Sequence, residues 1–381
     1  MRILTVLTFY EPHWTGLTAI AKRVAEGLAA RGHEVTVLTT QHLPELSRRE
    51  VLNGVDVVRL PPVGRFSRGL IAPAFPHTAY GLIGSHDLVQ IHTPLLEGAL
   101  VGGICRARRR PLVMTHQGDL TMPGGFVDQS IQKVGTALLT ASGHLATVVC
   151  PLNADYAQHS AFLQRFSGKL VPILPPVEIP DANDAAAARW REELGLRDKH
   201  VIGIVGRFVE EKGFDFLFRA LPGLLAADPD LRVVYAGEHD MVYEDFYSRC
   251  RPLIEPVADF VTFTGLIRDR QRLADFYAMC DVLVLPSRTD SFAAVQVEAM
   301  LCGTPVVASD IPGARVPVQL TAMGRLVEPR NPDALAAGIR EVLTDPARFT
   351  RPRDEIRSVF DPGESVDRYE ALMTRLVRPR A

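Results

Sequence analysis

The stretch PSRTDSFAAVQVEAMLCGTPVVAS, residues 286–309, sets two carboxylates in unlike surroundings. Asp290 falls in a Ser/Thr-flanked loop, and Glu298 falls inside an otherwise apolar helical run. A carboxylate taken from water without hydrogen-bond donors costs several kcal/mol. Either the fold or a ligand must supply those donors. Eight residues of helix would separate the two acids by about 12 Å. That is too far to share a proton, but it suits the two ends of an elongated ligand. The amides of Ser291, Phe292, Ala293 and Ala294 would face the same space. The alternative makes Asp290 the helix N-cap and Glu298 the buried partner of an arginine.

A second constellation follows the apolar run VIGIVG, which ends at Gly206. Arg207 comes next, then FVEE, then Lys212-Gly213 opening a helix whose inner face is Phe214, Leu217, Phe218 and Leu221. An arginine can fork two oxygens, a lysine adds a point charge, and a helix start offers free N–H groups. Together they suit a diphosphate. The competing reading pairs both cations with Glu210, Glu211 or other neighbours. In the first half, His116 in MTHQGD and His92 in QIHTP each close a strand-like run, where a histidine can be catalytic or structural. Asp119 lies three residues beyond His116.

These residues need elements to position them. Strand-like runs alternate with helical ones throughout. ILTVLTF, EVTVLTT, VDVVRLP, DLVQIHT, PLVMTHQ, LATVVCP and KLVPILP fill the first half. VIGIVGR, RVVYAGE, FVTFTGL, DVLVLPS, TPVVASD and GRLVEP fill the second. The clearest helix is residues 17–31, where Leu17, Ile20, Ala21, Val24 and Leu28 share a face and Gly32 follows as a stop. Continuous apolar strands alternating with helices indicate parallel sheets covered on both faces, an α/β class. The Pro- and Ala-rich stretch VPILPPVEIPDANDAAAARW is the linker candidate. Two doubly wound domains joined there would face each other across a cleft, with ligands at the carboxyl ends of the strands.

Composition bounds the function classes. The chain has 381 residues, is 47% hydrophobic and 23% charged, and has a formal net charge of -2. It reads as folded, with no global attraction to nucleic acid. RARRR at 106–110 is the one basic run, read as a solvated helix end, with an anionic headgroup or acidic acceptor as the sharper alternative. Five dispersed cysteines without CxxC spacing fit reduced thiols better than a disulfide frame or zinc site. The apolar start MRILTVLTFY is too short for a signal peptide, so the expected location is cytoplasmic, with peripheral contact at the inner membrane face as an option. No GxGxxG follows the first strand, so no dinucleotide cofactor is expected. Asp228-Pro229-Asp230 reads as a surface turn, and no metal is called for. Residues 65–84, RFSRGLIAPAFPHTAYGLIG, read as an apolar loop that either lines an acceptor channel, touches a membrane or simply packs.

Two motifs carry a resemblance. The acid, seven residues and a glutamate followed by AMLCGTPVV, together with VGRFVEEKG, resemble the retaining, nucleotide-sugar-dependent glycosyltransferases of family 4. The resemblance runs from Trp14-Thr15-Gly16 to DPGESVDRYEALMTRLV. It implies the GT-B fold, two doubly wound Rossmann-like domains. Residues 1–175 would bind acceptor, 176–360 would bind the nucleotide sugar, and 361–381 would return to the first domain as a helix. By that resemblance Arg207 and Lys212 hold the donor diphosphate, with Gly206 and Gly16 close to the donor. Asp290 and the amides at Phe292 and Ala293 hold the transferred sugar, and Glu298 takes the ribose hydroxyls. His116 acts near the sugar, with Asp119, Trp14 and Thr15 on the acceptor side. The co-substrate is a nucleoside-diphosphate sugar, and the acceptor is a glycan, a lipid-linked molecule or a small molecule.

The chain departs from the family at several places. Asp290-Ser291 replaces the usual Glu-Gly, Gly16-Leu17 replaces a glycine pair, Glu238 replaces a glycine and Val316 an acid. Two rivals follow: a GT-B epimerase, which needs no acceptor, and a non-catalytic subunit that binds the sugar nucleotide.

Overall fold

The computed structural model describes residues 1–66, 69–120, 126–241 and 244–377. The chain divides into two compact units, Met1–Pro176 with Pro362–Ala381, and Val177–Asp361. The first holds β1 (Arg2–Val6), β2 (Glu34–Thr40), β3 (Arg49–Leu52), β4 (Val55–Leu60), β5 (Gly64–Phe66), β6 (Gly69–Ile71), β7 (Leu88–Thr93), β8 (Leu112–His116) and β9 (Val148–Pro151). Seven of these form one sheet in the order β3-β4-β2-β1-β7-β8-β9. All its neighbours are parallel except β3 and β4. The second unit holds β10 (His200–Val205), β11 (Leu231–Ala236), β12 (Val261–Gly265), β13 (Val282–Leu285), β14 (Val306–Ser309) and β15 (Gly324–Val327). They lie in the order β12-β11-β10-β13-β14-β15, all parallel.

Each strand order reverses once. In the first unit the chain builds outward from β1 to one side and then resumes at β7 on the other. In the second it builds outward from β10 and resumes at β13. Where neighbouring strands send their connections to opposite faces, a crevice opens at their carboxyl ends, and open α/β sheets bind ligands there. The connections that matter are therefore those leaving β1 and β7, and those leaving β10 and β13.

The helix expected at 17–31 spans Gly16–Ala30 and buries Ile20, Ala21, Val24 and Leu28, while Leu17 stays half-buried at its edge. Thr15 caps it, accepting from the Thr18 amide at 3.3 Å, and the Thr18 hydroxyl accepts from the Thr15 amide at 2.8 Å. The terminal helix Pro362–Val377 packs on this helix within the first unit, burying Val366, Tyr369, Leu372 and Met373. Gly27 permits the approach, since a Cβ there would lie 2.7 Å from Val366 Cγ2.

Two expectations need correction, and one element was not foreseen. KLVPILP forms no full strand: Val171 and Ile173 donate to the Val149 and Pro151 carbonyls at 2.9 and 3.0 Å, and pairing then ends where Pro175 and Pro176 lack N–H groups. Residues 65–84 are not one loop. They include the β5–β6 hairpin and most of the helix Phe75–Ser85, which buries Phe75, Ala79 and Ile83; Ser67 and Arg68 lie outside the described residues. The antiparallel edge strand β3 went unread because its half-exposed REVL has no apolar run.

Among the described residues no helix is long and apolar enough to cross a membrane, and no cluster of three or more His, Cys, Asp or Glu side chains could hold a metal ion. Asp228 and Asp230 sit in the turn before β11, paired with His200 at 2.6 Å and Lys199 at 2.5 Å.

Candidate active site

The connections leaving β10 and β13 in the second unit meet. After β10 the chain passes Gly206 and Arg207, makes a short helical turn at Glu210–Lys212, and enters the helix Phe214–Ala227 through Gly213. After β13 it forms the loop 286–293, then the helix Ala294–Leu301. Gly213 has φ +66°, and a Cβ there would lie 2.1 Å from the Pro286 carbonyl oxygen. Only glycine meets both demands. Gly313, at φ +84°, closes the far side of the second loop in the same way, its absent Cβ 2.5 Å from the Asp290 carbonyl oxygen.

The two loops bring their charges together. Lys212 Nζ lies 2.7 Å from Asp290 Oδ2. Arg207, 40% exposed, lies 3.3 Å from Glu211 Oε1. Burial pulls the Lys212 ammonium toward neutrality, but the Asp290 and Glu211 carboxylates outweigh it and raise its pKa above the ordinary lysine value. The site thus presents a permanently charged lysine beside a half-exposed arginine. Both cations do pair with neighbouring acids, and Asp290 is one of those acids. Gly206 is fixed through its backbone: its N–H donates to the Ala236 carbonyl at 3.0 Å, and its carbonyl accepts from the Tyr235 hydroxyl at 2.7 Å.

Asp290 is not the N-cap of the following helix. That position belongs to Ala293, which makes no side-chain cap, and Asp290 Oδ2 accepts from Lys212 Nζ. The Ala294 amide, expected to face a ligand with its three predecessors, donates to the Phe292 carbonyl at 3.2 Å. Ser291, Phe292 and Ala293 are buried. Glu298 lies buried in the helix with both oxygens engaged. Oε1 accepts from Arg270 Nη2 at 2.9 Å, and Oε2 accepts from the Tyr277 hydroxyl at 3.0 Å. Burial, and then the Glu298 charge, hold the Tyr277 phenol well above its usual pKa, so it stays a donor. The two bonds fix the orientation of the acid.

In the first unit, the carboxyl ends of β7 and β8 hold two separate histidine arrangements. His116 is fully buried, stacked on Phe162 with ring centroids 4.8 Å apart. Its Nδ1 meets the Thr93 hydroxyl at 3.1 Å and its Nε2 meets Asp119 Oδ1 at 3.0 Å. Both ring nitrogens of His116 are thus engaged within the first unit. Ser160 donates to both Asp119 oxygens at 3.1 and 3.0 Å. Burial raises the Asp119 pKa, but these bonds from His116 and Ser160 lower it further, leaving it below the ordinary value. His92, also fully buried, accepts at Nδ1 from Gln117 Nε2 at 2.8 Å; the same Gln117 nitrogen donates to the Leu17 carbonyl at 3.3 Å. The proton therefore sits on His92 Nε2, which has no partner among the described residues. Trp14 is 44% exposed before the Thr15 cap, and Gly16 is the first residue of the capped helix.

Sequence reasoning missed Arg270 and Tyr277, which aim Glu298, Ser160 and Thr93, which fix the His116–Asp119 pair, and Arg288 with Asp215. Arg288 is only two residues from Asp290, yet its partner is 73 residues away. No local pattern announces such a pair.

The family model for glycosyl transferases group 1 matches residues 187–359, and that for the glycosyl transferase 4-like domain matches residues 15–176. A GDP-mannose-dependent alpha-(1-6)-phosphatidylinositol monomannoside mannosyltransferase of Mycolicibacterium smegmatis is 30% identical over 91% of this chain and 90% of its own. A D-inositol 3-phosphate glycosyltransferase of Catenulispora acidiphila is 28% identical over 94% and 90%. Among solved structures, Anabaena HepE in complex with UDP and glucose superposes with a TM-score of 0.79 at 20% identity, covering 98% of this chain and 100% of that one.

Proposed function

The chain belongs to the group 1 glycosyltransferases, with a 4-like first domain and the GT-B fold, and on that premise we propose a metal-independent hexosyl transfer from a nucleoside-diphosphate sugar to an acceptor hydroxyl, with retention at the anomeric carbon. The second unit binds the donor. Arg207 and Lys212 take the diphosphate, Asp290 takes the sugar, Gly206 and the loop amides at Phe292 and Ala293 line the approach, and Glu298 takes the ribose hydroxyls. The first unit binds the acceptor through Asp119, Trp14 and Thr15, with His116 holding Asp119.

The observation that carries this reading is the Lys212–Asp290 pair at 2.7 Å, placed at the strand reversal between β10 and β13 beside Arg207. In the proposed step the bond from the anomeric carbon to the diphosphate oxygen breaks while the acceptor oxygen bonds on the same face. The hydroxyl proton passes to the departing diphosphate. Negative charge grows on that leaving group, so Arg207 and Lys212 bind the transition state more tightly than the ground state. Lys212 is already charged and oriented, so little reorganisation is needed as charge develops.

For the acceptor, the named relatives supply a class. One acts on a phosphatidylinositol monomannoside and the other is named for D-inositol 3-phosphate. A phosphorylated or lipid-linked polyol is the first acceptor to try, and contact with a membrane surface would follow from the lipid-linked case.

Calorimetric titration with UDP, GDP and ADP, each alone and as common sugar conjugates, tests the donor. One nucleotide series is expected to bind tightly, and the Arg207→Ala/Lys212→Ala double variant to lose it. Lys212→Ala alone is expected to lower kcat by about 100-fold or more. Turnover near wild type in that variant would overturn the assignment of Lys212, and failure of the wild type to bind any nucleotide would overturn the donor site.

A further inference from the structure

Arg288 joins the two loops of the donor site and is absent from every role given above. Its guanidinium forks Asp215, with Nη1 to Oδ1 at 2.7 Å and Nη2 to Oδ2 at 2.8 Å. Nη1 also donates to the Glu210 carbonyl at 2.8 Å, and the Arg288 backbone amide donates to the Glu211 carbonyl at 2.8 Å. The guanidinium lies 4.3 Å from the Phe216 ring centroid. Both members are largely buried, with side chains 19% and 8% exposed.

The placement of these bonds is telling. Glu210 and Glu211 belong to the turn that ends at Lys212, and Asp215 lies in the first turn of the helix that follows. Arg288 itself belongs to the loop that carries Asp290. Four hydrogen bonds from one residue therefore tie the phosphate-side loop to the acid-side loop. The contact between Gly213 and Pro286 limits how closely the same loops can approach. Arg219 is a poor substitute, since its Nε is 3.8 Å from Asp215 Oδ2 and its side chain is 54% exposed.

A buried ion pair is a weak way to gain stability, because desolvation offsets most of its attraction. A planar fork does, however, fix distance and orientation together, which a lysine or an apolar pair cannot. We propose that Arg288, acting through Asp215, is a positioning residue of the donor site, setting the Lys212-to-Asp290 spacing so that one sugar nucleotide engages both. This inference rests on the donor-site reading above.

Two variants separate positioning from stability. Arg288→Lys keeps the charge and loses the fork. Arg288→Met with Asp215→Leu replaces the pair by apolar side chains of similar bulk. For each, we would measure the calorimetric Kd for the sugar nucleotide that wild type binds, kcat and KM for donor and acceptor, and the melting temperature. Arg288→Lys is expected to weaken donor affinity and lower donor kcat/KM by about tenfold or more, with acceptor KM unchanged. The double variant is expected to melt close to wild type and still show the donor defect. Donor binding and kcat/KM within about twofold of wild type in either variant, whatever its melting temperature, would overturn the proposal and leave a purely structural pair. If wild type binds a sugar nucleotide and the variants match it, only the positioning role falls. If wild type binds none, the donor-site reading falls and this inference with it.

Discussion

Lys212 and His92 show how burial acts in opposite directions on two basic groups. Lys212 is desolvated but faces Asp290 and Glu211, so its folded pKa is raised. The contribution of this pair to stability is complete below the ordinary lysine value and lost only as pH rises through the raised one. The lysine charge at the proposed donor site should thus be constant across the neutral range. His92 is desolvated with no compensating acid, and its pKa falls to about 3 from 6.5. Between those values the unfolded chain binds a proton that the folded chain refuses. Stability should therefore fall as pH drops through that window, by up to about 1.4 kcal/mol per pH unit. Chemical denaturation of wild type and His92→Gln at pH 7, 6, 5 and 4 checks this. The variant is expected to show the shallower acid slope.

At the scale of elements, the proposed donor site depends on two connections being packed against each other, and Gly213 is one place where they touch. Gly213→Ala would place a methyl against the Pro286 carbonyl in a backbone conformation that alanine disfavours. The expected result is a loss of about 1–3 kcal/mol in stability together with weaker donor binding, because the strain is relieved only by moving the Lys212 turn from the Asp290 loop. Denaturant titration and nucleotide calorimetry on one preparation measure both. Stability lost with donor affinity unchanged would show that the loops tolerate separation.

At the scale of the whole molecule, the two units differ in how the chain completes them. The second is one continuous stretch, Val177–Asp361, with its own apolar core built on Phe208, Phe214, Phe218, Leu221, Tyr235 and Ile339. The first needs both ends of the chain. Its terminal helix buries Val366, Tyr369, Leu372 and Met373, and holds Arg31 to Asp367 at 2.5 Å and His33 to Glu370 at 2.9 Å. Each buried apolar side chain is worth about 1.5–3 kcal/mol, so losing four removes much of the roughly 5–15 kcal/mol that stabilises a domain. Expressed alone, residues 177–361 are expected to fold cooperatively and bind the nucleoside diphosphate. Residues 1–176 alone are expected to be unstable. Circular dichroism melts and calorimetry on the two fragments decide it; a stable 1–176 fragment would show that the terminal helix adds little.

The parallel α/β class was legible in the sequence because a strand buried on both faces is mostly apolar, and VIGIV, VLVL and VVAS are short buried runs of strand length that alternate with helical patterns. The cations and acids at Arg207, Lys212, Asp290 and Glu298 were legible for a related reason: charged groups beside such strands are costly unless something pairs with them. Edge strands escaped, since β3 is half-exposed and needs no apolar run. What Asp290 does was decided only in three dimensions. A helix N-cap and a partner for Lys212 look alike in PSRTDSF, and the choice turned on where the β10 connection lay. The same holds for Glu298 with Arg270 and Tyr277, for His116 with Thr93 and Asp119, and for Arg288 with Asp215. Local sequence determined which segments became strands and which groups had to find partners, because burial and backbone geometry act over a few residues. Only the tertiary structure decided who the partners were, because hydrogen bonds and ion pairs form between atoms about 3 Å apart however far apart they lie along the chain.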